Sequence, residues 1–179
     1  MSKLFVDSIE PKTTGGVVNV DNKINDVIET FYYHSGDIAE GNGAVLDSNW
    51  TRLTSNGTAN KNGGMSASSG IWTFPSTGIW LCTINMYIYM SSAAVAGGVV
   101  LRYSSDGGSS HTDVQRMLQS FYAGNAHANI CLPWTFNITN TSTQKISYKI
   151  HGSNITVGGG SSEGGSKLQF IKLCPSIGG

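Results

Sequence analysis

Four histidines and three cysteines are the most reactive side chains of this 179-residue chain, and they lie far apart in its sequence. They are His34, His111, His127, His151, Cys82, Cys131 and Cys174. The cysteines form no C-x-x-C pair, and the chain contains no G-x-S-x-G, H-E-x-x-H or phosphate-binding G-x-x-x-x-G-K sequence. We therefore expect no catalytic residues, no metal site and no cofactor. A triad assembled across loops is the alternative, because triads depend on geometry and not on spacing.

The loop at residues 104–113 contains two carboxylates, Asp106 and Asp113, together with His111. Hard carboxylate oxygens suit calcium, but the loop lacks the alternating acidic positions of an EF-hand. The Asp-Gly-Gly sequence that begins at Asp106 is an ordinary turn signal. We favour the turn interpretation over a calcium site.

Charge is scarce and balanced, with 11 basic and 11 acidic residues, 12% of the chain in all. A neutral chain lacks the field that gathers nucleic acid or anionic membranes, so neither is an expected partner. No apolar run suits a signal peptide or a membrane span, and we expect synthesis in a cytoplasm without general secretion. The 23 glycines suit short strands joined by many turns.

Alternating apolar residues predict an all-β fold with one core. In residues 79–90, Trp80, Cys82 and the even-numbered residues after them share one face, and Leu81, Tyr87 and Tyr89 lie on the other. Further strands are predicted at residues 48–53, 70–74, 98–103, 128–138, 146–150 and 167–173. Residues 21–30 are the one segment predicted to form a helical turn or two. Roughly eight short strands indicate a sandwich or barrel.

The first 20 residues differ from the rest, because two short β-prone runs there are separated by Pro11 and a Gly-Gly pair. Two isolated strands are not stable alone, so they must lie on another surface. We predict an extended docking segment at residues 1–30 and a β-domain at residues 31–179. The candidate docking residues are Leu4, Val6, Ile9, Val17, Val18 and Val20.

Two motifs carry a resemblance to known families. The sequence from Trp72 to Trp80, WTFPSTGIW, resembles the aromatic-Thr-x-Pro-x-x-Gly-x-aromatic pattern that joins two core strands in C1q/TNF-like jelly rolls. The opening SKLFVDSIEPKTTGGVVNV resembles the start of tailed-phage fibre and appendage subunits. The resemblance implies an antiparallel jelly-roll sandwich, a homotrimer and a location in the virion.

The resemblance also implies roles for particular residues. Tyr87, Tyr89, Tyr148 and Phe170 are candidates for a trimer interface, and the alternative is that they cover the sheet faces of a monomer. Asp106, His111 and Asp113 are candidates for a distal loop. Phe121, Tyr122 and Trp134 are an alternative ligand-binding surface, because aromatic rings stack on sugars as readily as they fill interfaces.

The function implied is that of a non-enzymatic virion protein, a short trimeric appendage that docks by its N-terminus. Its jelly-roll head would attach to a host-surface glycan or protein. The first alternative is a decoration protein of capsid or tail without receptor binding. A polysaccharide-binding or polysaccharide-degrading module is the second.

Overall fold

The computed structural model describes residues 27–33, 38–47, 49–53, 63–92, 94–122, 124–159 and 165–176, which form β-strands in two antiparallel sheets. The strands are β1 (Ile28–Tyr33), β2 (Ile38–Glu40), β3 (Trp50–Arg52), β4 (Ser66–Ser68), β5 (Ile71–Thr73), β6 (Gly78–Met90), β7 (Ala94–Ser104), β8 (Thr112–Phe121), β9 (Ala126–Ile138), β10 (Lys145–His151), β11 (Ile155–Val157) and β12 (Lys167–Cys174). The predicted all-β antiparallel sandwich is confirmed.

The long strand β6 organises the first sheet. Strand β9 pairs with it along its whole length on one side, and β12 and β11 pair with its two halves on the other side. Strands β1 and β3 continue the sheet beyond β12, and β2 continues it beyond β11. The second sheet has the order β4-β5-β10-β7-β8.

The core lies between the sheets and is rich in aromatic residues. Trp72 of β5 and Trp80 of β6 are both buried, and the turn between them carries the chain from the second sheet to the first. Trp72 packs edge-on against Phe31, with ring centroids 4.8 Å apart. The Trp80 Nε1–H donates a hydrogen bond of 3.1 Å to the Ser76 carbonyl oxygen. The motif that carried the resemblance therefore joins two core strands, as predicted.

The N-terminal part of the described chain corrects one prediction. Residues 28–30, predicted as part of a helical turn, belong to β1 and pair with Gln169, Phe170 and Ile171 of β12. Pairing with a neighbouring strand outweighs a weak local preference for helix, and Ile and Thr are themselves β-prone. The predicted domain boundary between residues 30 and 31 falls within this strand. The candidate docking residues Leu4, Val6, Ile9, Val17, Val18 and Val20 lie outside the described residues.

The connections on either side of β8 lie at opposite ends of the sandwich. The β7–β8 loop, which contains the candidate distal residues Asp106 and His111, lies at one end of β8, and the β8–β9 loop lies at the other. The β7–β8 loop meets the β9–β10 loop through a bond from the Gly107 N–H to the Thr143 carbonyl oxygen, 2.8 Å. Within the described ranges, no helix has the length and apolar character needed to cross a membrane.

Candidate assembly surface

One side of the first sheet is nearly free of charge. The side chains of β6 alternate between the core and this side, and residues paired across neighbouring strands share a side. We call this surface the outer face; its residues are Ile79, Leu81, Thr83, Asn85, Tyr87, Tyr89, His127, Asn129, Cys131, Pro133, Thr135, Asn137, Lys167, Gln169 and Ile171. Lys167 is the only lysine, arginine or carboxylate among them. A protein surface can cover such a face without desolvating several charges.

An aromatic cluster occupies the end of the outer face. Tyr89 lies directly opposite His127 in the β6–β9 register, with ring centroids 4.8 Å apart. The Tyr87 ring stacks on His127 at 5.5 Å and an interplanar angle of 18°. The Tyr87 hydroxyl bonds to Nδ1 of His127, and the Tyr89 hydroxyl donates to Oδ1 of Asn125. These bonds fix the rings, so the cluster presents a preorganised surface.

The chain is tied to Tyr87 where β11 ends and β12 begins. The Tyr87 N–H donates to the Ser166 hydroxyl (3.1 Å), and the Gly158 N–H donates to the Tyr87 carbonyl oxygen (2.8 Å). The Ser166 N–H closes the base of the connection with a 2.9 Å bond to the Gly158 carbonyl oxygen. A Cβ atom on residue 158 would overlap the Tyr87 ring. Glycine is therefore required for this close approach.

A depression of about 370 Å³ opens beside this cluster. Its lining residues are Asn85, Met86, Tyr87, Asn129, Ile130, Cys131, Gly165 and Lys167. The two amides, the thiol and the ammonium group give it mixed polarity. It can accept a side chain that protrudes from a second protein surface.

The exposed large apolar residues lie at a different place, along β8 and β9. They are Met117, Leu118, Tyr122 and Trp134, with exposed fractions of 39%, 38%, 94% and 37%. Among the described strands, β8 pairs only with β7, and β9 pairs only with β6. We call this border of the sandwich the lateral edge. Open strand edges with exposed apolar side chains are surfaces that other protein chains cover.

Two of the four predicted interface residues belong to the core instead. Tyr87 and Tyr89 lie on the outer face, but Tyr148 and Phe170 are fully buried between the sheets. Tyr148 shares its face of β10 with Ile146 and Ile150, and burial raises its pKa. Phe170 packs on Trp72, with ring centroids 4.9 Å apart. The prediction for Tyr148 and Phe170 is wrong, because their positions in the alternation face inward.

Some of the other aromatic and cysteine residues that the sequence singled out are buried, and others are exposed. Of the alternative ligand-binding residues, Phe121 is buried, whereas Tyr122 and Trp134 are exposed on the lateral edge. Cys82 is a core residue as predicted, and burial raises the pKa of its thiol. Cys131 is exposed on the outer face.

The three predicted distal-loop residues have separate roles. The Asp106 carboxylate accepts bonds from the Ser110 hydroxyl and N–H and from the Ser104 hydroxyl, which hold its pKa well below the usual range. This supports the turn interpretation. His111 is half-buried, and burial, followed by the nearby Arg102 charge, lowers its pKa.

Asp113 is not in the loop but in β8, where its carboxylate meets Lys149 at 2.9 Å. Its hydrogen bond with Lys149 is the largest cause of its lowered pKa. In the described part of the chain, no group of three or more His, Cys, Asp or Glu side chains is placed to hold a metal ion.

Comparisons with known proteins identify the fold. No protein-family model and no curated protein matches the sequence. Among solved structures, Eiger TNF from S. frugiperda is similar at a TM-score of 0.68 and 12% identity, over 87% of this chain and 97% of that one. Murine APRIL, in a structure at pH 8.0, is similar at 0.59 and 18% identity, over 82% of this chain and 98% of that one.

The similarity covers nearly the whole of each compared chain. It defines the chain as a TNF-like jelly roll and confirms the fold that the sequence predicts. At these identities it shows the fold alone, and residue roles depend on the geometry described above.

Proposed function

We propose that the chain is the subunit of a short, non-enzymatic, homotrimeric appendage of a phage particle. The N-terminal segment docks it to other virion proteins, and the jelly-roll head attaches to the host surface. The observation that carries the proposal is the presence of two distinct surfaces with exposed aromatic and apolar side chains, the outer face and the lateral edge, on one TNF-like sandwich. The phage location is supported by the resemblance of residues 2–20 to appendage subunits.

Two different surfaces favour a head-to-tail contact over a self-complementary one. Each subunit would place its lateral edge on the outer face of the next, and such contacts close into a ring when the rotation allows. The resemblance to C1q/TNF-like proteins supports a ring of three. Trp134 and Tyr122 are suited to be anchors, because exposed aromatic side chains dominate the energetics of many interfaces.

A trimer would also cover the unpaired strand edges of the sandwich. In the described chain, the backbone edges of β8 and β9 are unpaired and flanked by apolar side chains. Covering them protects the protein from aggregation. Three heads on one base multiply weak contacts with a host surface through avidity.

Incorporation into particles tests the location and the docking role. Phage particles would be assembled with the full chain or with a chain lacking residues 1–20, and both would be detected with an antibody against the jelly-roll domain. The full chain is expected in purified particles, and the truncated chain is expected as a soluble trimer absent from them. Equal incorporation of the two chains would contradict N-terminal docking.

An adsorption assay distinguishes the attachment function from the alternative, a decoration protein. Particles with and without the protein would be compared for adsorption to host cells at equal titre. Loss of adsorption without loss of particle integrity is expected for an attachment protein. Unchanged adsorption with reduced particle stability would instead assign the decoration role.

A further inference from the structure

Three basic side chains from three strands surround one carboxylate on the second sheet. Asp113 of β8 meets Lys149 of β10 at 2.9 Å, Arg116 of β8 at 3.4 Å and Arg102 of β7 at 3.7 Å. We call Arg102, Arg116 and Lys149 the basic cluster. Because one carboxylate offsets only one of three cations, the group carries a net charge of about +2 when all four are ionised. The net charge of the whole chain is zero.

The basic cluster is held by the sheet and not by a loop. A register shift between Leu101 and Arg102 places Asp113 opposite Arg102. Arg116 and Lys149 both pair with Val100, on the side of the sheet that faces away from the core. The side chains of Arg102 and Lys149 are only 22% and 26% exposed. A cluster on rigid strands loses little conformational freedom when it binds a ligand.

Donor groups of the cluster exceed the acceptors that the described residues offer it. Nε of Arg102 is buried without a hydrogen-bond partner, since 3.7 Å from Asp113 is too long for a bond. Nε2 of the neighbouring His111 is also buried and unpartnered within the described chain. A buried donor without an acceptor is costly, so a ligand with acceptor oxygens would satisfy Nε of Arg102.

There is space for such a ligand beside the cluster. The side chain of Arg116 is 56% exposed, and it borders a depression of about 310 Å³. Asp113, Val114 and Gln115 line the rest of this depression. The space admits a sugar-sized group, and the guanidinium fork of Arg116 can offer two parallel N–H groups to an oxyanion.

We propose that the basic cluster binds a sulfate or phosphate ester group of a surface polysaccharide. Arg116 and Lys149 contact the oxyanion directly. Asp113 holds the three cations together. A single ion pair with Asp113 would need one cation, whereas the structure supplies three. The outer face lies on the opposite sheet, and Arg116 of β8 borders the lateral edge.

This inference gives a ligand class to the host attachment proposed above and depends on that function for its biological meaning. Its physical test is independent of it. Three fluorescent dextran oligosaccharides of equal length would be titrated with the full chain and followed by anisotropy: one sulfated, one phosphorylated and one unsubstituted. The full chain is expected to bind a charged oligosaccharide and not the neutral one, and to release it as salt rises.

Single substitutions locate the site. Arg116→Gln and Lys149→Gln are each expected to weaken binding roughly fivefold, the upper range of an exposed charge contact. Lys172→Gln removes the same charge from the opposite sheet, where Lys172 donates to the Ser76 hydroxyl. This control is expected to change affinity by less than about twofold, because exposed charges beyond a Debye length are largely screened. Thermal melting would verify that each variant folds.

The outcomes separate the site from net charge and from the assembly. Binding of the sulfated or the phosphorylated oligosaccharide alone supports the proposal and identifies the group. No binding of either, equal binding of the neutral oligosaccharide, or an equal loss in Lys172→Gln would overturn it. Molar mass measured on the same samples shows whether the trimer is intact. Failure of the anion site and failure of the trimer are therefore distinguishable.

Discussion

The rings of Tyr87 and His127 stack across neighbouring strands at 5.5 Å, although the two residues do not pair directly in the register. His127 pairs with Tyr89, and Tyr87 reaches it diagonally. Diagonal neighbours on one sheet face lie within reach of aromatic side chains. The result is a fixed aromatic cluster on a face with little charge, which the proposed trimer would cover.

Leu81→Lys tests whether the outer face is an interface. Leu81 is half-buried at the centre of this face, so a lysine there would be desolvated by a neighbouring subunit. Burying an unpaired charge costs several kcal/mol, and we expect the dissociation constant of the assembly to rise by at least about 100-fold. Sedimentation velocity measures the change. Ser66→Lys, at an exposed position of the second sheet, is the control and is expected to leave the assembly intact.

A mixing experiment tests whether the contact is head-to-tail. Leu81→Lys disables the outer face, and Trp134→Lys disables the lateral edge, so each variant alone is expected to be a monomer. An equimolar mixture pairs the intact edge of one with the intact face of the other, and a heterodimer is expected. Light scattering on the mixture would detect it. A mixture that stays monomeric would contradict contact between edge and face.

Gly158→Ala tests the close approach that positions Tyr87. The added methyl group overlaps the Tyr87 ring, and overpacking of this kind costs about 1–3 kcal/mol. We expect a lower melting temperature and a weaker assembly, because Tyr87 must move. Gly41→Ala adds the same atom at a site with open space and is the matched control. Equal melting temperatures for the two variants would show that the neighbouring chain adapts without strain.

Thiol labelling reports which surface is covered. Burial raises the pKa of the Cys82 thiol, so the reactive thiolate is disfavoured and Cys82 is expected to stay unlabelled in the folded protein. Cys131 and Cys174 are both exposed in the single chain. In the native assembly we expect protection of Cys131, whereas labelling of Cys174, which pairs with Ile79 at the end of the outer face, shows whether the covered area reaches the end of β12. Mass spectrometry of the labelled protein identifies the sites, and the Leu81→Lys variant is expected to label at Cys131 as well.

The ion pairs of Asp113 predict a response to acid. The pKa of Asp113 is lowered in the folded chain, chiefly by its hydrogen bond with Lys149. The ionised carboxylate is therefore more stable in the folded chain than in the unfolded chain. The stabilisation is present above the usual value of 3.8 and is lost as pH falls through the lower folded value. Melting temperatures between pH 6 and pH 2 should therefore fall less steeply for Asp113→Asn than for the natural chain. Parallel curves would show that the pairs contribute nothing to folding.

The alternation of apolar residues predicted much of the fold. The strict period of two in β6 gave the direction of every side chain in that strand, including Tyr87 and Tyr89. The same alternation places Tyr148 with Ile146 and Ile150, and following it would have assigned Tyr148 to the core. Strand β8 was not predicted because it is an exposed edge strand without an apolar face. Edge position, and not composition, makes such a segment a strand.

The basic cluster could not be predicted from the sequence, for a different reason. Arg102, Asp113 and Lys149 come from three strands, and only the register between β7, β8 and β10 brings them together. The sequence singled out Asp113 but assigned it to a loop. A shift of one residue in either pairing would move these side chains to the other face. Long-range register is therefore the information that the local pattern lacks.

The molar mass of the purified full chain, measured by light scattering coupled to size exclusion, shows whether the chain forms the proposed trimer. We expect three times the 19.0 kDa chain mass at micromolar concentration for the natural chain, and a mass near that of one chain for Leu81→Lys. A natural chain that elutes as a clean monomer across this range would contradict assembly through the outer face and the lateral edge.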